Sequence, residues 1–197
     1  VYPGDKVLIQ AAAGGAGTAL VQLCKLKGCK IYGTAGSQKK LDYLKEQGVD
    51  VAINYRREDF SEVIDEKIDI VFDSIGGKTF KKGFKLLGEG GRMVSYGAAS
   101  QLDANNFFSK VRFGLSFGFY HPVQFIMHSK SLSGVNMLRI ADFKKDLLQH
   151  AMEHVVKLAN EGKIDPHVGG LYSIDQLNEA HAALENRGTM GKIGITW

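Results

Sequence analysis

Long apolar runs are missing from this sequence, and cysteine is scarce. No run of about twenty apolar residues that could span a bilayer is present, and the N-terminus carries no signal-peptide pattern. The two cysteines, Cys24 and Cys29, form neither a C-x-x-C pair nor a metal cluster. We therefore expect two reduced thiols in a cytoplasmic protein.

Charge is only weakly biased. The net charge is +4 and the lysines are scattered rather than striped, so nucleic acid is not the expected partner. With 197 residues and 44% hydrophobic content, the chain can bury a substantial core. It begins with Val1 rather than methionine. We expect it to be cut from a longer protein, with residues 1–5 as the end of a linker.

A glycine turn separates an apolar run from an amphipathic one near the start. Lys6–Gln10 is typical of a buried parallel strand. Ala12, Gly14 and Gly17 follow at the spacing of a dinucleotide-binding turn, with alanine in place of the first glycine. Beyond Gly17 the apolar residues repeat with helical spacing. Missing side chains let backbone amides approach a pyrophosphate at a helix N-terminus, so we favour a nucleotide site over a glycine turn without a ligand.

Strands and helices alternate along the first part of the chain. After Lys6–Gln10 the predicted strands are Lys30–Ala35, Val51–Asn54, Ile68–Asp73, Arg92–Tyr96 and Ser131–Asn136. The predicted helices are Gln38–Gln47, Phe60–Glu66, Thr79–Leu87 and, later, Asp142–Glu161. This rhythm predicts an α/β fold: a doubly wound six-stranded parallel sheet, or Rossmann fold, over residues 1–163.

The tail, residues 164–197, has a pattern of its own. We predict a strand at Val168–Tyr172, a helix at Ile174–Asn186 and a strand at Gly191–Thr196. Because six strands already complete a doubly wound sheet, we expect the tail to belong to another structural unit.

Residues 101–129 interrupt the alternation and are rich in aromatics. The segment contains Phe107, Phe108, Phe113, Phe117, Phe119, Tyr120 and Phe125. Its charged residues and Pro122 argue against a membrane span. A patch for a membrane surface or a partner is one interpretation. We favour an insertion that packs on the sheet, on a second domain or on a subunit partner.

Two histidines, His150 and His154, lie one helical turn apart on the predicted long helix. This is the spacing of a two-histidine metal face. Because no third ligand lies nearby in the sequence, we expect solvated or packed histidines and no metal.

The end of the second strand distinguishes NAD from NADP. An NAD site places Asp or Glu about 20 residues past the glycine turn, but this region reads GTAGSQKK and its first acids, Asp42 and Glu46, come only in the next helix. No carboxylate is therefore expected to repel a 2′-phosphate.

Nearby side chains suit an additional phosphate. Ser37 can donate a hydrogen bond, and Lys40 can supply positive charge. Tyr55 and Arg56, which follow the third strand, can add a phenol and a guanidinium. We predict NADP(H) rather than NAD(H).

Several motifs together resemble the cofactor-binding half of the medium-chain dehydrogenase/reductase superfamily: AAAGGAG, GTAGSQKK, INYRRED, DIVFDSIGG, GGRMVSYG and ENRGTMGKIGI. Within it the chain looks like the zinc-independent quinone oxidoreductase branch. The aromatic segment and HSKSLSGVNML look most like the vesicle amine transport protein relatives of that branch.

The resemblance implies a role for each of several residues. Pyrophosphate would be held by Ala13, Gly14, Gly15, Ala16 and Gly17. The 2′-phosphate region would be held by Ser37, Lys40 and Tyr55, and the ribose and nicotinamide approached by Ser95, Tyr96 and Gly97. The sixth strand around Gly134–Asn136 would flank the nicotinamide through Asn136 and lie at a homodimer seam, and Arg187 would close over the cofactor.

The implied activity is hydride transfer from NADPH to a quinone or an α,β-unsaturated carbonyl. In this family a barrel-like catalytic domain precedes such a chain and forms much of the substrate cleft, so the tail would pack on or complete that absent domain. The chain alone is expected to be inactive, and no catalytic residue is assigned. A zinc-type alcohol dehydrogenase or enoyl reductase remains an alternative, as does a nucleotide-binding partner protein with little reductase activity.

Overall fold

Six parallel strands form one sheet in the computed structural model, which describes residues 1–99, 107–186 and 188–197. The strands are β1 (Lys6–Ile9), β2 (Lys30–Ala35), β3 (Val51–Asn54), β4 (Ile68–Asp73), β5 (Leu87–Ser95) and β6 (Ser131–Gly134). Their order is β3-β2-β1-β4-β5-β6, which is the doubly wound arrangement. The predicted α/β Rossmann fold is confirmed.

Helices cover the sheet and continue beyond it. They are α1 (Gly15–Leu26), α2 (Gln38–Glu46), α3 (Phe60–Val63), α4 (Lys78–Leu86), α5 (Phe107–Ser116), α6 (Pro122–Met127), α7 (Met137–Phe143), α8 (Lys145–Asn160) and α9 (Leu177–Glu185). None of these described helices is both long and apolar enough to cross a bilayer.

The central strand carries core residues on both faces. Val7 and Ile9 of β1 belong to the cluster that includes Val21 of α1 and Leu44 of α2. Leu8, between them, belongs to a second cluster on the opposite face, which includes Phe80 of α4. Successive side chains of a strand point to opposite faces, so β1 is buried from both sides, as a parallel sheet requires.

The predicted boundaries differ most from the structure in β5 and in the long helix. The strand predicted to begin at Arg92 already begins at Leu87, which pairs with Ile68 before a register shift in β4 and β5. Pairing with β4 thus takes Leu87 from the predicted helix. The helix predicted from Asp142 is two helices, because Lys144 adopts φ −139° and ψ 55° between α7 and α8. Neither change affects the strand order.

The tail forms a separate two-stranded parallel sheet. Its strands are β7 (Val168–Ser173) and β8 (Lys192–Thr196), joined through a 3-10 turn at Ile174–Gln176 and α9. The contacts that join the tail to the rest of the chain include two hydrogen-bonded ones. The Gln22 side chain donates to the Asp165 carbonyl (2.6 Å) and accepts from the Asp165 N–H (2.9 Å). The Gly191 N–H donates to the Ala13 carbonyl (3.0 Å). Its membership of a further domain stays a prediction.

Part of the aromatic segment packs on α4. The ring of Phe117 lies 5.2 Å from that of Phe80, and the rings of Tyr120 and Phe125 lie 4.7 Å and 5.6 Å from that of Phe84. The part of the segment that carries these three rings therefore packs on a helix that covers the sheet. The side chains of Phe107, Phe108 and Phe113 lie outside the described part of the structure.

Candidate cofactor site

The glycine turn brings α1 directly against the end of β1. Ala11 adopts φ 51°, and its carbonyl accepts from the Gly14 N–H (2.9 Å). A Cβ on Gly17 would lie 2.5 Å from the carbonyl oxygens of both Ala11 and Ala12, a distance that only glycine avoids. The first turn of α1 has no acidic residue and no side-chain cap. Its backbone N–H groups therefore remain suited to an anion.

A cavity of about 1010 Å³ opens beside this turn, at the carboxyl ends of the first strands. Five of the predicted site residues line it: Ala13, Gly14, Ser37, Lys40 and Tyr55. The tail contributes residues 184–186, 188 and 189 to the same space. The volume is at the upper end of the range for small-molecule sites. The tail's contribution was not predicted beyond Arg187, which lies outside the described residues.

Positive charge gathers where β2 and β3 end. Lys40, Arg56 and Arg57 all line the cavity. Lys40 is half-buried, and its pKa is lowered mainly by burial and further by the Arg56 cation. A dianion bound here would reverse that shift, because opposite charge favours the protonated amine. The Tyr55 hydroxyl lies so close to Gly36 that a Cβ there would collide with it.

Three carboxylates that the sequence analysis did not assign to the site also line this cavity: Glu58, Asp59 and Glu185. The first two have hydrogen-bond partners. Glu58 accepts from the Asn54 backbone N–H (3.4 Å). Asp59 caps α3 by accepting from the Ser61 N–H (3.0 Å), and it forms an ion pair with Lys82. The Lys82 hydrogen bond is the main cause that lowers the pKa of Asp59 to about 2. An N-cap Asp before a helix is a signal that sequence reasoning could have used.

A buried pair at the start of the turn was also missed. The Thr34 hydroxyl accepts from the Ala11 N–H (3.1 Å) and donates to the Gln10 Oε1 (2.7 Å). Both side chains are buried, both residues line the cavity, and the Gln10 Nε2 has no hydrogen-bond partner among the described residues. The pair fixes the backbone from which the glycine turn departs.

The residues predicted to approach the nicotinamide cluster at the ends of β4 and β5. The Tyr96 N–H donates to the Asp73 carbonyl (3.0 Å), and a Cβ on Gly97 would lie 2.9 Å from the Ser74 carbonyl oxygen. Burial is the main cause that raises the pKa of Tyr96. Ser74 lines the cavity, whereas Ser95, Tyr96 and Gly97 are outside its lining. Their cofactor role stays a prediction.

The remaining predicted residues are placed as follows. Gly15 and Ala16 open α1, with a Cβ on Gly15 meeting the Gly191 carbonyl oxygen at 3.2 Å. Asn136 caps α7, its side chain accepting from the Arg139 N–H (3.2 Å). His150 and His154 are exposed on α8. Over residues 1–99, 107–186 and 188–197, no three His, Cys, Asp or Glu side chains are grouped as a metal site.

Comparison with known proteins places the chain in a family. The family described as zinc-binding dehydrogenase matches residues 15–153. The chain belongs to this family. The resemblance to the medium-chain dehydrogenase/reductase superfamily is thereby confirmed.

Similar proteins of this family include two curated relatives. The synaptic vesicle membrane protein VAT-1 homolog of Danio rerio is 32% identical over 201 residues, covering 98% of this chain and 41% of that protein. Prostaglandin reductase 1 of Bos taurus is 32% identical over 197 residues, covering 98% of this chain and 56% of that protein. The chain thus spans about half the length of the curated relatives it matches.

A similar solved structure is also matched over little more than half of its length. The quinone oxidoreductase from Thermus thermophilus, determined also in complex with NADPH, has a TM-score of 0.77 and 25% identity. The match covers 100% of this chain and 59% of that one.

Proposed function

We propose that this chain is the NADP(H)-binding portion of an oxidoreductase that transfers hydride from NADPH to a quinone or an α,β-unsaturated carbonyl. One observation carries the proposal: the glycine turn and the cations Lys40 and Arg56 open onto one cavity. A pyrophosphate and a more distant phosphate would thus be held by one continuous surface. The NADPH complex of the Thermus thermophilus quinone oxidoreductase and the similarity to prostaglandin reductase 1 support the assignment.

The residues present fit this cofactor. A Cβ would fill the space at Gly17, where the turn and the helix meet, and the first turn of α1 leaves N–H donors for a pyrophosphate. Ser37, Lys40 and Tyr55 would hold the 2′-phosphate, and residues 184–186, 188 and 189 of the tail would border the bound nucleotide. When bound, the cofactor supplies the hydride.

The residues of this chain would bind the nucleotide, orient its nicotinamide end and shield it from water. The turn and the tail border one space from two sides, which restricts the access of water to a bound nucleotide. Ser95, Tyr96 and Gly97 would position the nicotinamide end from the ends of the strands. We assign no proton donor here, and we propose that a catalytic domain outside this chain supplies most of the substrate cleft.

We also propose a homodimer in the cytoplasm. Within the described sheet, β6 pairs with β5 on one side only, and its four residues are exposed. An unpaired edge favours strand pairing with a second copy. The two free thiols, Cys24 and Cys29, support a reducing compartment.

The cofactor assignment is tested by fluorescence titration of the intact protein with NADPH and NADH. Lys40→Ala should weaken NADPH by about 10- to 100-fold, because a charge-assisted contact to the phosphate is lost. NADH should change by less than about twofold, since it lacks that phosphate. The matched control is Lys39→Ala, whose side chain is exposed and outside the cavity lining. Equal losses for both cofactors would remove Lys40 from the phosphate site.

Substrate class is tested by the steady-state oxidation of NADPH. The intact protein should consume NADPH with a quinone or an α,β-unsaturated carbonyl as the acceptor. Tight NADPH binding without turnover on either class of acceptor would agree with the nucleotide site but contradict the proposed reductase activity.

A further inference from the structure

A second cavity, of about 440 Å³, lies on the outer side of α4 and shares no lining residue with the cofactor cavity. We call it the basic aromatic pocket. Its phenylalanine and tyrosine rings and its lysines come from α4 and from residues 119–130. They are Phe84, Phe119, Tyr120, Lys81, Lys85 and Lys130.

The inner wall of the pocket is packed and ordered by ring contacts. The ring centroids of Phe84 and Tyr120 lie 4.7 Å apart in an edge-to-face arrangement. The Lys130 Nζ lies 5.4 Å from the Phe84 ring centroid and donates to the Phe84 carbonyl (3.4 Å). Burial is the main cause that lowers the pKa of Lys130, and Lys67 adds to it. This cation is held in place rather than extended into solvent.

The rim of the pocket exposes large apolar side chains. Phe119 is 86% exposed, and Ile126 and Met127 on α6 are 77% and 76% exposed. Val123 lies three and four residues before them and is 48% exposed, so the three share one stripe of the helix. Phe125 turns the other way and packs 5.6 Å from Phe84. Exposed apolar side chains clustered beside charged ones mark an interaction site rather than ordinary surface.

The charged side chains that line the pocket are all positive: Lys81, Lys85 and Lys130. Residues 74–88 and residues 104–141 contain no Asp or Glu, and both stretches supply pocket residues. Lys81 and Lys85 are exposed one turn apart on α4. Glu89 is the carboxylate that acts on Lys130. Cations beside exposed apolar groups are complementary to a partner that is anionic and apolar at once.

We propose that the basic aromatic pocket and the α6 stripe dock on an anionic lipid surface. Lys81, Lys85 and Lys130 would meet the headgroup phosphates, while Phe119 and the stripe would enter the boundary with the acyl chains. A second copy of this face fits less well, because two faces of the same positive charge would meet. This surface is independent of the proposed NADPH site.

The test is co-sedimentation of the intact protein with vesicles of phosphatidylcholine containing about 30% phosphatidylserine, and with vesicles of phosphatidylcholine alone. Binding to the anionic vesicles is expected at about 0.05 M NaCl, and it should fall at least about tenfold at about 0.5 M, where charge is screened. Binding to phosphatidylcholine alone should be weaker by a similar factor. Equal binding to both vesicles, or none to the anionic ones, would overturn the proposal.

Two double variants locate the contact. Lys81→Ala with Lys85→Ala should weaken vesicle binding about 30-fold, and Ile126→Ser with Met127→Ser about tenfold or more. The matched control is Lys27→Ala with Lys45→Ala, two exposed lysines at the end of α1 and on α2, which should change binding less than about threefold. Arginine at both Lys81 and Lys85 should preserve it. All the substituted residues are exposed, so unchanged thermal unfolding is expected and excludes misfolding as the cause.

Two further outcomes count against a lipid partner. If inorganic phosphate releases the protein from vesicles where chloride of the same ionic strength does not, the pocket takes a free phosphate. If the Ile126 and Met127 variant changes the oligomeric state in gel filtration without vesicles, the face joins two copies of the chain. Either result would replace the lipid surface as the occupant.

Discussion

Large apolar side chains are mostly buried in the first part of this chain and mostly exposed in the last part. From β1 to β5 most of the large apolar residues are buried, and Leu8, Ile9, Ile68 and Met93 are each 0% exposed. From β6 onward, the described hydrophobic residues that are buried are Leu158, Ile164 and Ala180. The exposed ones in that part include Leu132, Leu138, Phe143, Leu147, Leu171 and Trp197. We call residues 6–95 the closed half and residues 131–197 the open half.

The two halves differ in whether their apolar surfaces are covered by this chain. The closed half fills both faces of its sheet with its own helices, so its stability rests on this chain. The open half presents apolar side chains on α7, α8 and β7 that nothing in the described structure covers. Exposed apolar patches of this size are typical of interaction surfaces. The chain spans about half the length of its curated relatives, which agrees with the proposal that a further domain covers these side chains.

The largest effect is expected for Gly17→Ala in the closed half. The added Cβ would lie 2.5 Å from two backbone oxygens, and neither oxygen can move without displacing the turn. We expect a loss of about 3 kcal/mol in unfolding free energy and at least about tenfold weaker NADPH binding. Chemical denaturation and cofactor titration measure the two effects.

A matched control for that substitution is Gly114→Ala. Gly114 lies inside α5, where an added Cβ would meet no atom of the described residues within 4 Å apart from the neighbouring backbone of its own helix, so alanine should be neutral or stabilise by up to about 1 kcal/mol. Similar losses for both glycines would show that the tight contact at Gly17 is not the cause.

The open half is tested by Leu171→Ser on β7. Leu171 is 69% exposed, so in this chain produced alone the change should cost less than about 0.5 kcal/mol. In the intact protein it should cost about 2 kcal/mol if a further domain buries the side chain. Leu8→Ala, in the closed core, should cost about 3 kcal/mol in both. A Leu171 effect equal in the two forms would mean that nothing covers β7.

Local sequence patterns predict the closed half well, because its elements are decided by their own residues. Apolar runs such as Ile68–Asp73 and the spacing of Gly14 and Gly17 place the strands and the turn before any tertiary contact is known. The strand order then follows from short right-handed crossovers. Lys40 and Tyr55 could be assigned to one site for the same reason: both follow strands that are neighbours in the sheet.

What could not be predicted depends on contacts between distant segments. Leu87 becomes a strand residue because it pairs with Ile68 of β4. The helix break at Lys144 could not be predicted because no glycine or proline lies at that position. Glu58 and Asp59 enter the cavity lining through the loop that follows β3, and residues 184–186, 188 and 189 enter it from the tail. The cations of the basic aromatic pocket come from two segments about 45 residues apart along the chain, so no local motif marks them.

The junction between the halves gives a smaller effect. Gln22 bonds to both the N–H and the carbonyl of Asp165. Gln22→Ala should therefore loosen the tail by about 1 kcal/mol, seen as faster hydrogen exchange at the Asp165 amide with little change in the exchange of β1. Gln149→Ala, which removes an exposed bond to Glu153 within α8, is the control and should leave Asp165 unchanged. Faster exchange in β1 as well would mean that the halves unfold as one unit.

The smallest expected effect lies within the closed half, where Asp59 and Lys82 join α3 to α4. The pKa of Asp59 is lowered to about 2 from the ordinary 3.8, so its stabilisation is present above about pH 4 and is lost as the pH falls toward 2. The Lys82 side chain is 43% exposed, and solvent screening keeps the contribution below about 1 kcal/mol. The difference in unfolding free energy between the protein and Asp59→Asn should thus be constant near neutral pH and shrink on acidification. A difference that grows as the pH falls would mean that the carboxylate is stabilising in its protonated form, and the ion pair would then not be what joins these helices.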